Sequence, residues 1–241
     1  MPRDTPRRLA LVVTGTALTA ACSGAPSPGR PTMAEVSVRP ESVLAFSALY
    51  GQNCAGCHGA SGRMGAALSL NNPVYLAIVP DSVLRRVVAH GVRGTSMPAF
   101  SVNAGGTLMD AQIDTLVAGM RARWGRSDAL AGVTAPRYGA SGPGSTERGA
   151  RVYATFCASC HGPDGTGGDR GHSIVDDSYL ALVSDQGLRM AVIVGRPELG
   201  MPDWRGYVKG RPMTDQEITD VVAWLVAQRE QFPGQPYPGQ R

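Results

Sequence analysis

Two segments of the sequence combine a pair of thiols with an imidazole in the pattern C-x-x-C-H, and they begin 103 residues apart. Their reactive residues are Cys54, Cys57 and His58 in the first copy, and Cys157, Cys160 and His161 in the second. Each thiol can add across one haem vinyl group, and the histidine that follows can reach the iron from the same turn of chain. The pattern therefore predicts two covalently attached c-type haems.

A zinc site or a redox-active dithiol is the main alternative, because C-x-x-C pairs occur in both. The two pairs are 103 residues apart and each is followed directly by its own histidine, which is not the ligand spacing of a zinc finger. Haem attachment is therefore favoured over either alternative.

A second iron ligand can be predicted from position, although the chain has nine methionines and methionine is more often a core residue. Met97 lies 39 residues after His58, Met201 lies 40 after His161, and a proline follows each methionine. Proline favours extended backbone in the residue before it, which would hold each thioether on a loop. We predict Met97 and Met201 as the sixth ligands of two haem irons.

Other side chains near the motifs have open roles. His90 and His172 are less favoured as ligands, because neither has a histidine counterpart in the other copy. Other residues recur in register: Tyr75 with Tyr179, and Arg85 with Arg189. The tyrosines would contact a haem or pack in the core, and the arginines would pair with a haem propionate or face solvent.

The surroundings of the two motifs also repeat, so the chain is predicted to be two copies of one unit. Each unit reads as an opening helix, a haem motif, a glycine-rich loop, a middle helix, a Met-Pro loop and a closing helix. The middle helices are predicted at residues 82–90 and 186–194. Thr214 and Glu217 form a capping box at the start of the second closing helix, and Asp110 is predicted to cap the first. The expected fold class is all-α.

Composition divides the chain into six segments, because runs rich in Gly, Ser, Ala and Pro flank the two units. They are a signal peptide (1–21), a flexible tether (22–40), a first domain (41–125), a linker (126–145), a second domain (146–232) and a C-terminal tail (233–241).

The N-terminus predicts export. A basic start precedes a small apolar run at residues 9–21, which is too short to span a bilayer stably. Cys22 at the cleavage point resembles the lipidated cysteine of a bacterial lipoprotein, although Thr19 stands where that family prefers leucine. We expect a lipid anchor on the periplasmic side of a bacterial membrane; ordinary cleavage after Ala21, leaving Cys22 as a free thiol, is the alternative.

Charge excludes one class of partner and distinguishes the two domains. The formal net charge is +4 and the chain has a single lysine, so no nucleic-acid-binding surface is expected. Residues 34–130 carry a net charge of +2 and residues 145–232 carry −3. Negative charge favours ferric iron, so we predict the lower potential for the second haem, and a basic partner for its domain.

Both units resemble class I c-type cytochromes, through Y-x-x-x-C-x-x-C-H-G at residues 50–59 and 153–162, the downstream Met-Pro and the closing helix. The resemblance covers about residues 40–125 and 145–232. It implies tandem all-α bundles, each wrapped around one haem with its first and last helices crossing. Trp224 is placed like the aromatic residue that this family packs at the crossing, whereas the first unit has Gly119 there.

The predicted ligands and the resemblance lead to a function. A six-coordinate Met/His iron leaves no position for a substrate, which favours electron transfer over catalysis. The resemblance implies partners such as a quinol-oxidising complex, a terminal oxidase, a dehydrogenase or a photosynthetic reaction centre. The alternative is a di-haem peroxidase-type enzyme, in which one haem lacks its methionine.

Overall fold

A computed structural model describes residues 39–230, and throughout this range the regular elements are helical. The first half holds α1 (Phe46–Asn53), α2 (Ala55–His58), α3 (Pro73–Ile78), α4 (Asp81–His90) and α5 (Asp110–Trp124). The second half holds α6 (Thr146–Phe156), α7 (Ala158–His161), α8 (Asp177–Leu182), α9 (Asp185–Val194) and α10 (Asp215–Ala227). Three short 3₁₀ helices lie at Pro40–Ser42, Val102–Ala104 and Pro197–Leu199. The all-α prediction is confirmed.

The order of elements is the same in both halves. An opening helix (α1, α6) leads into a one-turn helix that carries the haem motif (α2, α7), and then come a short helix (α3, α8), a middle helix (α4, α9) and a closing helix (α5, α10). None of the helices between residues 39 and 230 is both long and apolar enough to cross a bilayer. The predicted signal peptide, most of the tether, the lipidation site Cys22 and all of the tail lie outside the described residues.

The short helices α3 and α8 were not predicted, because six residues are too few to show a helical period. Their starting signals are nevertheless present. The Asn72 side chain accepts hydrogen bonds from the backbone N–H groups of Val74 and Tyr75, and proline occupies the first helical position. In the second half, the Asp176 side chain caps α8 by accepting a hydrogen bond from the Tyr179 N–H.

The two closing helices begin differently. The capping box of α10 is present, since the Thr214 N–H donates to Glu217 Oε2 at 2.8 Å and the Thr214 hydroxyl accepts from the Glu217 N–H. The prediction for α5 was wrong, because Asp110 is its first helical residue and Met109 is the N-cap. The methionine side chain has no oxygen that could accept a hydrogen bond. The Gln112 side chain reaches back instead and accepts from the Met109 N–H at 3.0 Å.

The opening and closing helices of each half cross closely, and a glycine permits the contact in both. In the first half a β-carbon on Gly119 of α5 would lie 2.1 Å from the Phe46 ring of α1. In the second half the glycine is on the other helix: a β-carbon on Gly149 of α6 would lie 2.1 Å from the Asp220 carbonyl oxygen and 2.7 Å from Trp224 Cβ. The glycine and the aromatic residue have thus exchanged places, and Gly119 gives a close crossing rather than a loose one.

A tryptophan from each closing helix covers the tyrosine that precedes the haem motif. Trp224 stacks on Tyr153 with ring centroids 4.2 Å apart, and Trp124 meets Tyr50 edge-on at 5.1 Å. Trp124 is not aligned with Trp224 in the repeat, yet its indole reaches the equivalent region from further along the helix. Residues at different helix positions therefore do the same packing.

The arginines that align in the repeat have different environments. Arg189 is 3% exposed, pairs with Asp215 and donates to the Arg137 carbonyl at 3.0 Å, so it fastens residue 137 of the predicted linker to the second domain. Arg85 pairs with Asp110 and Asp114 on the neighbouring closing helix. Neither role predicted for Arg189 is correct, because its guanidinium is buried in a protein network.

Candidate functional site

Each haem motif lies at a break in the helical chain, where the opening helix gives way to a single further turn. Cys54 at this break has φ −119° and ψ −34°, and Cys157 has φ −118° and ψ −36°. The His58 N–H donates to the Cys54 carbonyl at 3.0 Å, and His161 makes the same bond to Cys157. The two motifs therefore present their thiols and imidazoles from nearly identical backbones.

A buried tyrosine fixes the far end of each motif. The Tyr50 hydroxyl donates to the Gly59 carbonyl at 2.9 Å, and the Tyr153 hydroxyl donates to the Gly162 carbonyl at 2.5 Å. Both glycines have positive φ, which lets the chain turn away directly after the histidine. The tyrosine four residues before the first cysteine thus holds the chain on both sides of the motif.

The orientation of each histidine is set by a backbone carbonyl. Nδ1 of His58 lies 2.8 Å from the Leu68 oxygen, and Nδ1 of His161 lies 2.8 Å from the His172 oxygen. A carbonyl only accepts hydrogen bonds, so Nδ1 carries the proton and Nε2 keeps its lone pair for a metal. Burial lowers the pKa of His58 and so favours the neutral ring that binds iron. The residues present fit an iron-bound haem.

These carbonyl partners were missed in the sequence, because a backbone oxygen leaves no residue-type signal. His172 serves through its main chain while its own imidazole is exposed, and His90 is exposed at the end of α4. Neither of these imidazoles has the fixed orientation of His58 and His161.

The four thiols of the two motifs are free, and burial shifts the pKa of one thiol in each motif. Cys54, Cys57, Cys157 and Cys160 form no disulfide. Burial raises the pKa of Cys54 to about 11 and that of Cys157 to about 12, with the neighbouring thiol adding to the effect. Among residues 39–230 no three His, Cys, Asp or Glu side chains come together in a metal-binding group.

Each predicted methionine ligand lies in a loop braced against the end of the middle helix. The Met97 carbonyl accepts from the Val92 N–H at 3.0 Å, and the Met201 carbonyl accepts from the Arg196 N–H at 2.9 Å. The glycine that ends each middle helix has positive φ, and a β-carbon there would lie within 2.6 Å of the methionine carbonyl. Both methionines are half-buried, at equivalent places in the two units.

The aligned tyrosines Tyr75 and Tyr179 do not share an environment. Tyr75 is 8% exposed and packs in the core, where burial raises its pKa, whereas Tyr179 is 38% exposed. For Tyr75 the packing role is therefore the better supported of the two predicted roles.

Comparison with known proteins places this geometry in a family. The family described as cytochrome C oxidase, cbb3-type, subunit III matches residues 41–118 and 144–225, which is one match for each helical repeat. A solved structure of the Kuenenia stuttgartiensis reducing HAO-like protein complex is 15% identical, with a TM-score of 0.46, and the match covers 80% of this chain and 98% of that chain.

Two curated relatives carry names from the same family. The cbb3-type cytochrome c oxidase subunit FixP of Sinorhizobium medicae is 31% identical over 134 residues, 52% of this chain and 40% of the relative. The subunit CcoP of Cereibacter sphaeroides is 27% identical over 192 residues, 75% of this chain and 59% of the relative. The chain thus spans less than two thirds of the length of these relatives. With two matched repeats, it belongs to the cbb3-type cytochrome c oxidase subunit III family, and its tandem cytochrome c domains transfer electrons through two haem c groups.

Proposed function

We propose that each domain attaches its haem through both thiols of its motif and ligates the iron with one histidine and one methionine. The ligands are His58 and Met97 in the first domain, and His161 and Met201 in the second. The observation that carries this assignment is the 2.8 Å contact between each histidine Nδ1 and a backbone carbonyl, which leaves Nε2 to bind a metal. When bound, each haem supplies an iron that gains or loses one electron.

The protein groups around each site would keep the proposed ligands in place when a haem is bound. The tyrosine hydroxyl and the carbonyl partner hold the histidine side, and the glycine that ends the middle helix holds the methionine loop. A thioether ligand favours ferrous iron, so both potentials should lie above those of bis-histidine haems. With histidine and methionine both bound to the iron, neither haem would offer a site to a substrate.

Substitution of the methionines tests the ligation. Oxidised protein should show the weak near-infrared band of methionine-to-iron charge transfer, and Met97→Ala and Met201→Ala should each remove about half of it. Met109→Ala is the matched control, because that side chain is exposed at the start of α5. A methionine variant with an unchanged spectrum would refute its ligand, and a haem that binds peroxide in the wild type would favour the peroxidase-type enzyme.

The partner we propose is a terminal oxidase. The relatives are named as subunits of cbb3-type cytochrome c oxidases, which supports transfer of electrons from this chain to such an enzyme. The second domain is the more acidic, so a basic partner should approach it, and association should slow as salt rises. Co-purification with a haem-copper oxidase from solubilised membranes would support this pairing; recovery with another redox complex only would overturn it.

We also propose that the chain is held at the periplasmic side of a membrane through a lipid on Cys22. The basic and apolar residues that precede this cysteine support the proposal, as does the use of the other four cysteines by the haem motifs. Cys22→Ser should release the protein, with both haems, into the soluble periplasmic fraction. A mature N-terminus without lipid would contradict it.

The acidic second domain further supports a lower potential for its haem. Four acids lie in or beside the loop that follows the second motif: Asp164, Asp169, Asp176 and Asp177. A redox titration of variants that each retain one haem gives the order directly. A potential for the His161 haem that equals or exceeds the other would refute this ordering.

A further inference from the structure

Besides a shared apolar core, the two domains are joined by polar contacts between two short segments that lie beside the proposed haem ligands. Residues 65–72 follow the first haem motif, and residues 194–198 connect α9 to the loop of Met201. The Asn72 side-chain amide donates to the Val194 carbonyl at 3.1 Å in a buried contact. Asn72 also caps α3, so the same side chain orders a helix and joins the domains.

A nearly buried ion pair completes this contact. Arg196 Nε lies 2.7 Å from Glu198 Oε1, and the two side chains are 18% and 10% exposed. Both extend into the first domain: Arg196 Nη2 donates to the Gly65 carbonyl at 3.0 Å, and Glu198 accepts from the hydroxyl of Ser69, which is 1% exposed. A buried charge is tolerated when its hydrogen bonds are complete, and here the other domain completes them. We call Arg196, Glu198 and Ser69 the interdomain bridge.

On the side of the first domain, the bridge adjoins the histidine. Ser69 directly follows Leu68, whose carbonyl accepts from His58 Nδ1. The Ala67 N–H donates to the Cys57 carbonyl at 3.0 Å, so the segment is also fastened to the haem motif. A displacement of Ser69 would therefore shift Leu68, whose carbonyl orients His58.

On the side of the second domain, the bridge adjoins the methionine. The backbones of Arg196 and Met201 exchange two hydrogen bonds, with N–H to oxygen distances of 2.9 and 3.1 Å. Glu198 lies in the 3₁₀ turn between these two residues. The base of the Met201 loop is thus formed by the residue that reaches across to Gly65.

We propose that Arg196 and Glu198 are positioning residues. They hold the histidine side of the first haem site against the methionine loop of the second, and they thereby set the rate of electron transfer between the two haems. Transfer oxidises one iron and reduces the other, so it needs no further reactant. Its rate depends on the separation and orientation that the bridge fixes. The inference rests on the proposed ligation by His58 and Met201, and it adds a coupling between the two sites.

The test compares Glu198→Ala with wild type in the full chain carrying both haems. Backbone hydrogen exchange at residues 65–72 should quicken by about tenfold, because charged hydrogen bonds across the interface are lost. Electron transfer between the haems after pulsed reduction should slow by about threefold or more, and the near-infrared band of the second haem should shift or weaken. Ser69→Ala and Glu198→Gln, which each keep part of the network, should change the same quantities less and guard against a misfolded alanine variant.

Asp203→Asn is the matched control. Asp203 lies two residues after Met201 and pairs with Arg205, and both members of this ion pair belong to the second domain. The control should leave exchange at residues 65–72 unchanged. An equal response to Asp203→Asn and Glu198→Ala, or unchanged exchange and transfer in all bridge variants, would overturn the proposal. A wild type without the methionine band would instead refute the ligation, and exchange at residues 65–72 would then decide alone whether the bridge joins the domains.

Discussion

In both domains a large aromatic residue packs against a glycine where the opening and closing helices cross, but the two residues are on opposite helices in the two domains. The first domain places the aromatic Phe46 on its opening helix and Gly119 on its closing helix, and the second places Gly149 on the opening helix and Trp224 on the closing helix. Either arrangement brings the helices together beside the haem motif. What the repeat preserves is therefore the complementarity of a large and a small residue, not the residue at a given position.

The largest effect is expected from Gly149→Ala. Its β-carbon would lie 2.1 Å from a backbone oxygen of α10, which can only move with the helix, so we expect a loss of about 3 kcal/mol or more in the free energy of unfolding of the second domain. Urea unfolding followed by segment-resolved hydrogen exchange measures it. Gly51→Ala in α1 is the control, because its β-carbon meets nothing within 4 Å. Equal stability of these two variants would contradict the close crossing.

Removal of the tryptophans should rank next. Trp224→Ala and Trp124→Ala should each cost their own domain about 3 kcal/mol, because Trp224 stacks on Tyr153 and Trp124 meets both Phe46 and Tyr50 edge-on. Thermal unfolding of both variants, with the corresponding Phe variants as controls, measures the two losses. A large difference between them would show that stacked and edge-on contacts are not equivalent here.

Lowering the pH should reduce the free energy of unfolding of the second domain more than that of the first, by less than the substitutions above. Hydrogen bonds from Arg148, first among several, lower the pKa of Asp220, so this carboxylate stabilises the fold above its unfolded pKa of about 4, and that stability is lost as pH falls through the lower folded value. Asp220→Asn should therefore cost about 2 kcal/mol at neutral pH and progressively less on acidification.

The first domain has Thr115 at the aligned position, where a hydroxyl does not titrate. Thr115→Ala is therefore a control whose effect should not change with pH. Unfolding of both variants across the acid range makes the comparison. A pH-independent cost for Asp220→Asn would show that the carboxylate contributes through packing alone.

The smallest effect is expected from Gly119→Ala. The atoms nearest its β-carbon would belong to the Phe46 side chain, which can turn aside, so we expect a loss of about 1 kcal/mol. The double variant Phe46→Ala with Gly119→Ala should recover part of it, measured by the same unfolding curves. No corresponding side-chain change should recover Gly149→Ala, because there the obstacle is backbone.

The sequence was sufficient for the repeat, the helical class and the haem motifs. Spacing carries that information, since C-x-x-C-H must keep its order to react with a haem, and the i, i+3, i+4 stripes of α5 and α10 are long enough to be recognised. The capping box at Thr214 and Glu217 was also readable, because both partners are side chains.

Features that depend on partners distant in the chain could not be read in this way. Arg189 looked like a surface or haem-facing residue, yet it is buried by the carbonyl of Arg137, a contact that only folding creates. Gly119 stands where the family packs an aromatic residue, and the aromatic residue that replaces it in the crossing, Phe46, is on another helix. The interdomain bridge combines Ser69 and Glu198, which are 129 residues apart, and neither belongs to a recurring motif.

The contact between the domains is heterologous: the surface that the first unit contributes differs from the one that the second contributes. Repeats joined head to tail can in principle add further units without limit, as subunits do in a filament. The interdomain bridge itself does not repeat, since Val92 and Gly94 stand in the first domain where the second has Arg196 and Glu198. The first unit thus lacks the two charges with which the second unit reaches its neighbour, so this mode of joining is specific to the pair.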